Sequence, residues 1–313
     1  MTSRARLRSA AVPPSAPSPV PMPHLDGVRH RWVDVQGLLV HVAEAGPAAG
    51  QELEPPLVLL HGWPQHWWIW RHVVPALAGR HRVLMPDLRG HGWSAAPSSG
   101  YDKEQLATDL LGLLDALGLP QVGLVGHDWG GWTGFLTCLR APDRFSGFLA
   151  LGITHPWQAP SAGRALQAWR LGYQVALSTP LLTERALRLT PRLVEQAVRA
   201  GATVQDAFSA EDLRLYGAVL QEPARARATV QLYRTFLTRE SLAVARGRYA
   251  DRRLTVPTRL VVGNGDPVAA GPFLEGWQEH ADDMAVEVLP GVGHFVPEEA
   301  PDAVVDRARA LFA

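Results

Sequence analysis

Gly126-His127-Asp128-Trp129-Gly130 decides how this chain is read: a glycine-flanked turn, entered from the apolar run Val122-Gly123-Leu124-Val125, with an aspartate at its centre. The apolar run reads as a buried strand, and Gly131-Trp132-Thr133-Gly134-Phe135-Leu136 as a helix packed closely on it. Glycines on both sides of Asp128 permit a sharp strand-to-helix turn that presents its carboxylate beside the helix N-terminus, a nucleophile elbow. A carboxylate so placed attacks an electrophilic carbon and forms an alkyl ester. A lone Gly-x-Asp-x-Gly is also compatible with an ordinary loop, so other strand ends must supply the rest of a site.

They do. His61-Gly62-Trp63-Pro64 follows Leu57-Val58-Leu59-Leu60, at the carboxyl end of a second buried strand, where open α/β sheets collect their sites. Backbone N–H groups of Trp63, from this loop, and of Trp129, after the nucleophile, are the expected oxyanion hole. Leu260-Val261-Val262-Gly263-Asn264-Gly265-Asp266 is another strand ending in an acid, and Val286-Glu287-Val288-Leu289 precedes Gly291-Val292-Gly293-His294. The order nucleophile, acid, histidine (Asp128, Asp266, His294) is that of α/β-hydrolases.

At 313 residues and 47% hydrophobic content the chain buries a sizeable core as one large domain or a domain with an insertion. Thirty basic residues balance thirty acidic ones, so no electrostatic footprint points to nucleic acid or an anionic membrane, and a neutral substrate is expected. The single cysteine, Cys138, excludes an internal disulfide framework and any multi-cysteine zinc site; it reads as a buried apolar residue of the post-elbow helix. No apolar run approaches the ~18 residues of a membrane span.

Residues 1–24 combine Arg4, Arg6 and Arg8 with prolines 13, 14, 17, 19, 21 and 23, and read as a disordered tail. Ala10-Ala11-Val12 is stopped at Pro13, too short for a secretory apolar region, so a soluble cytoplasmic protein is expected. Arg31–Val35 and Leu38–Val42 flank Gln36-Gly37 as an opening hairpin. Short aliphatic runs at 57–60, 82–86, 121–126, 147–152, 258–263 and 285–289 are the candidate parallel strands. Asp87-Leu88-Arg89-Gly90-His91-Gly92 reads as a tight turn beside the site that carries no chemistry. From 157 to 250 strand-like runs give way to Ala, Leu and Arg at helical spacing, an inserted helical cap that would roof Asp128 and exclude water. The α/β core then comprises 25–156 and 251–313.

These motifs resemble the epoxide hydrolases of the α/β-hydrolase fold, a mostly parallel sheet with helices on both faces and an all-helical cap; haloalkane and fluoroacetate dehalogenases share the aspartate elbow. The resemblance covers about residues 28–313 and rests on the elbow, His61-Gly62-Trp63-Pro64, the 87–92 loop and Gly291-Val292-Gly293-His294. It implies that phenolic donors on the cap separate epoxide opening from dehalogenation. Tyr173, before Gln174 and seven residues before Pro180, is similar to the first ring-opening tyrosine, and Tyr233 to the second; packing in helix interfaces is the alternative for each.

The implied chemistry uses no cofactor and no metal. Asp128 opens an apolar epoxide to a hydroxyalkyl ester, and His294, oriented by Asp266, activates the water that releases a vicinal diol. A haloalkane or haloacid dehalogenase using the same aspartate is the alternative. His61, Pro64 and His155 are candidate substrate contacts, and Trp63, Trp67, Trp68, Trp129 and Trp157 candidate apolar walls, whereas Trp70 and Trp132 read as core. Arg234 reads as a solvated cap residue. A homodimer is left open.

Overall fold

Aliphatic runs bounded by glycine and proline become the strands of one sheet. The computed structural model describes residues 18–157, 163, 166, 172–190, 192–269 and 271–313. Among them, eight strands form β1 (Arg29–Val35), β2 (Leu38–Ala45), β3 (Leu57–Leu60), β4 (Val83–Pro86), β5 (Val122–His127), β6 (Phe145–Leu151), β7 (Thr258–Gly263) and β8 (Met284–Leu289). Their spatial order is β1-β2-β4-β3-β5-β6-β7-β8. β1 and β2 make an antiparallel hairpin whose turn residues, Gln36 and Gly37, both have positive φ, as a tight hairpin turn requires. β2 runs antiparallel to β4, and the pairings from β4 to β8 are parallel.

The central strands lack polar alternation because both faces are covered. Period-two geometry sends Val58, Leu60, Leu124, Phe148 and Ala150 into one apolar cluster and Leu57, Leu59, Val125, Leu149 and Leu151 into the other. The first cluster takes Leu106, Leu110 and Leu114 from α1 (Lys103–Ala116) and Phe135 and Leu136 from α2 (Trp129–Arg140). Cys138 is buried on α2 as expected.

Between β6 and β7 the chain leaves the sheet as α3 (Gly172–Leu177), α4 (Leu182–Leu189), α5 (Arg192–Gly201), α6 (Ala210–Leu220) and α7 (Pro223–Thr235). α6 starts with a capping box, Ser209 and Asp212, which satisfies its first amides. Val194 and Val198, four apart on α5, join Leu187, Leu213, Leu220 and Leu232 in the cluster that holds Trp63 and Trp129, seating these helices over the elbow. The chain closes with α8 (Pro301–Phe312), whose Val304, Val305, Ala308 and Phe312 fill the second cluster.

Several strand ends shift by one to three residues from the expectation, and two departures have a visible cause. β6 starts at Phe145, not 147, because Gly147 is a site of close approach and not a strand end: a Cβ there would lie 3.0 Å from Leu311 Cγ on α8. The proline-rich tail read as disordered over 1–24 is packed from residue 18. Ser18 is buried and its hydroxyl donates to Glu222, the Trp93 indole donates to the Val20 carbonyl at 2.8 Å, and Val20 and Met22 lie on the second cluster. These contacts give the segment buried partners that its composition does not announce. Residues 1–17 of that expectation lie outside the described residues, as do parts of the inserted segment.

Candidate active site

β5 ends at His127, α2 begins at Trp129, and Asp128 between them has φ 51° and ψ −121°. A non-glycine residue in so sparsely populated a region costs about 1–3 kcal/mol, which the surrounding packing must over-determine. The flanking glycines supply room: a Cβ on Gly126 would lie 2.6 Å from the Gly130 carbonyl oxygen, and one on Gly130 2.4 Å from the Leu60 carbonyl oxygen. Closeness of backbone to backbone, more than φ freedom, requires glycine here.

The loop after β3 meets the elbow. The Trp63 amide donates to Asp128 Oδ1 at 3.0 Å, and a Cβ on Gly62 would lie 2.3 Å from Asp128 Cβ. Trp129 is the first residue of α2, so its amide lies among those without an intrahelical acceptor. On the other carboxylate oxygen, His294 Nε2 stands 3.6 Å from Asp128 Oδ2. His294 Nδ1 donates to Asp266 Oδ2 at 3.0 Å, and Asp266 Oδ1 accepts the amides of Val268 and Ala269 at 2.7 and 3.1 Å.

Electrostatics follow from this chain of charges. Burial would push the Asp266 carboxyl up, but His294 and the two amides outweigh it and hold it below the usual range. Burial would likewise lower His294, yet Asp266 and then Asp128 raise it to about 10. His294 therefore carries both ring protons at neutral pH.

A cavity of about 270 Å³ opens above these groups. Asp128, His294, Tyr173 and Tyr233 line it; the other lining side chains are apolar, including Trp63, Pro64, Ala197, Ala200, Val268 and Phe295. The two tyrosine rings meet edge-on, centroids 6.1 Å apart. Burial, reinforced by the Asp128 charge, raises both phenols above their ordinary value, so at neutral pH both are protonated donors.

The chain matches the alpha/beta hydrolase fold family over residues 55–301. A soluble epoxide hydrolase of Corynebacterium sp. (strain C12) is 34% identical to it, over 91% of this chain and 98% of that protein. The chain belongs to the epoxide hydrolases of the α/β-hydrolase fold. Among solved structures, the epoxide hydrolase CorEH without ligand is similar at TM-score 0.76 and 32% identity, covering 91% of this chain and 98% of that one. Cfl2 from Burkholderia cenocepacia is similar at TM-score 0.79 and 28% identity, covering 95% and 99%.

In this epoxide hydrolase, some candidate residues lie elsewhere. His61 does not line the cavity: it donates from Nδ1 to the Gly62 carbonyl and accepts the Leu88 amide at Nε2, each at 2.9 Å, which fixes the loop after β3. His155 is buried with its ring 5.8 Å from that of Trp157, and it does not line the cavity. Among the described tryptophans only Trp63 faces the cavity; Trp67 and Trp70 lie in the second cluster, and Trp132 packs in the first. Arg234 is exposed, as a solvated cap residue should be. Asp87, in the glycine-rich loop, is a buried anchor: it accepts the Trp67 and Trp93 amides at 2.8 and 2.9 Å and His41 Nδ1 at 2.7 Å.

Glu299 escaped the sequence reading. Its carboxylate accepts the amides of Gly293 and Phe295, on either side of His294, at 2.9 Å each, and those of Thr203 and Val204, just after α5, at 2.8 Å. The His294 amide itself donates to Gly201 at 2.8 Å. One carboxylate thus ties the loop that carries His294 to the helices between β6 and β7. The available signal was its place five residues after His294, and spacing alone does not reveal backbone partners.

Proposed function

We propose that this enzyme converts an uncharged, apolar epoxide to a vicinal diol through an ester on Asp128. The observation that carries the reading is the convergence of two protonated phenols, Tyr173 and Tyr233, on the cavity that holds Asp128 and His294. A haloalkane needs no such donors, and the indole N–H of Trp63, which could otherwise serve a halide, is bonded to Thr229 Oγ1 at 3.2 Å.

The carboxylate oxygens divide the work. Oδ1, held by the Trp63 amide, remains the carbonyl oxygen, while Oδ2 attacks the ring carbon. The carbon–oxygen bond of the ring breaks, and one phenol gives its proton to the departing alkoxide. Esterification removes the charge that helped hold His294 near 10, its affinity for the proton falls, and that proton returns to the phenolate. Neutral His294 then takes a proton from water, whose oxygen adds to the ester carbon. The oxyanion on Oδ1 faces the amides of Trp63 and Trp129. Collapse expels the diol alkoxide, which takes the acid proton of Asp128, and the resting charges are restored.

An assay of styrene oxide, a trans-disubstituted aliphatic epoxide, an isoprenoid epoxide and a haloalkane, reading diol and halide separately, tests this. Diol from at least one epoxide without halide release is expected; halide release without diol from any epoxide would overturn the reading.

A further inference from the structure

Lys103 is a buried cation that the reaction scheme above does not use. It is the first residue of α1, where the helix dipole disfavours positive charge, and its side chain is wholly buried. Its ammonium makes three hydrogen bonds: to the Leu232 carbonyl at 2.5 Å, Glu240 Oε2 at 3.2 Å and the Tyr101 carbonyl at 3.4 Å. Leu232 immediately precedes Tyr233. The ammonium also lies 4.5 Å over the ring of Trp129, the residue after the nucleophile, a cation–π contact in a site without water exposure.

The backbone is shaped to make this contact. At the end of α7 the helix changes pitch: the Phe236 amide bonds the Tyr233 carbonyl, and residues 236–240 form a π-helical turn. Such turns are uncommon and recur at functional sites. Here the turn brings Glu240 back to Lys103, where its Oε1 also accepts the Lys103 amide at 2.8 Å. Trp129 in turn meets the rings of Tyr233 and Phe236 at centroid distances of 5.5 and 5.0 Å. The ammonium therefore joins the strip that carries Tyr233 to the elbow that carries Asp128.

We propose that Lys103 is a positioning residue for ring opening, which acts through Tyr233 by fixing the Leu232 carbonyl against the elbow. The inference rests on Tyr233 as a ring-opening donor. Lys103 makes no hydrogen bond to His294, Asp266 or their loop among the described residues, and it meets Trp129 at the indole ring and not at the backbone amide, so ester release should depend on it far less than ester formation.

The test measures ester formation and ester release separately, by rapid quench and intact-protein mass, in Lys103→Met, Tyr233→Phe, the three changes Lys103→Met, Glu240→Gln and Tyr233→Phe combined, and Lys103→Met/Glu240→Gln. The last variant removes both charges of the buried pair and so avoids leaving Glu240 unpaired, which by itself can prevent folding. In it, ester formation should slow about 10- to 100-fold, the scale of one misplaced transition-state donor, while ester release stays within about 3-fold of wild type. In the Tyr233→Phe background the same replacement should cost almost nothing further, because the group it positions is gone. Equal slowing of both steps, or an effect undiminished by Tyr233→Phe, would overturn the proposal. A folded Tyr233→Phe enzyme that forms ester at the wild-type rate would instead overturn the assignment of Tyr233, a separate outcome.

Discussion

Replacing Gly62 with alanine puts a methyl group where Asp128 already is. The new Cβ would stand 2.3 Å from Asp128 Cβ, 2.4 Å from Oδ1 and 2.7 Å from Cγ. Apolar contacts settle near 3.5–4.0 Å, so the loop and the elbow must separate by about 1.2 Å or more. The elbow is held from the β6 side, where the Asp128 amide donates to the Leu151 carbonyl at 3.1 Å. The loop must therefore move, and with it the Trp63 amide that holds Oδ1 at 3.0 Å. A misplacement near 1 Å costs on the order of 100-fold in rate, and one lost oxyanion donor on the order of 100- to 1000-fold. Ester formation and release should both fall by at least about 100-fold, whereas overpacking removes only about 1–3 kcal/mol of stability. Rapid-quench kinetics on protein verified as folded by thermal melting reads both effects. Gly79→Ala, where an added Cβ meets nothing within 4 Å, is the matched control. Gly62→Ala that is folded and within about 3-fold of wild type would refute the claim that close approach of these loops sets the nucleophile.

Three further outcomes follow from the same geometry. Tyr173→Phe or Tyr233→Phe should each slow ester formation about 10- to 100-fold and the double variant nearly abolish it; a double variant at the wild-type rate would remove the phenols from the mechanism. Glu299→Ala should slow ester release more than ester formation, because it frees the amides flanking His294, and hydrogen exchange at residues 203, 204, 293 and 295 should rise together; unchanged exchange at 203 and 204 would contradict the coupling. The His294 value of about 10, against 6.5 for a free imidazole, predicts a stabilising contribution complete below about pH 6.5 and lost as pH rises through about 10. Denaturation curves of wild type and His294→Gln should therefore converge towards high pH, and a gap that stays constant across that range would contradict the raised value.

The sheet and three groups of the candidate site were legible because each lies at the end of a short apolar run, where strand geometry leaves little choice of position. Asp128, Asp266 and His294 follow β5, β7 and β8 in that manner. The phenols were legible only through family resemblance, since α3 and α7 carry no local mark that says which face looks inward. The tryptophans show the same limit: composition announces that Trp67 and Trp70 are buried, but not that they lie in the cluster away from the cavity. Glu299 and Lys103 were invisible for another reason. Their partners are mostly backbone groups far along the chain, such as Thr203, 96 residues before Glu299, and Leu232, 129 residues after Lys103. Backbone acceptors and donors leave no trace in residue identity. Gly147 misled because a glycine demanded by helix contact looks the same in sequence as one that ends a strand.

The covalent ester on Asp128 is most directly tested by a single turnover in heavy-oxygen water with enzyme in excess over epoxide, followed by mass analysis of both the diol and the peptide containing Asp128. Water attacks the ester carbon, so the heavy atom should appear in the Asp128 carboxylate, and the diol should carry unlabelled oxygen taken from the enzyme. Heavy oxygen in the diol of that first turnover, with Asp128 unlabelled, would mean that water opens the ring directly and would contradict the ester intermediate.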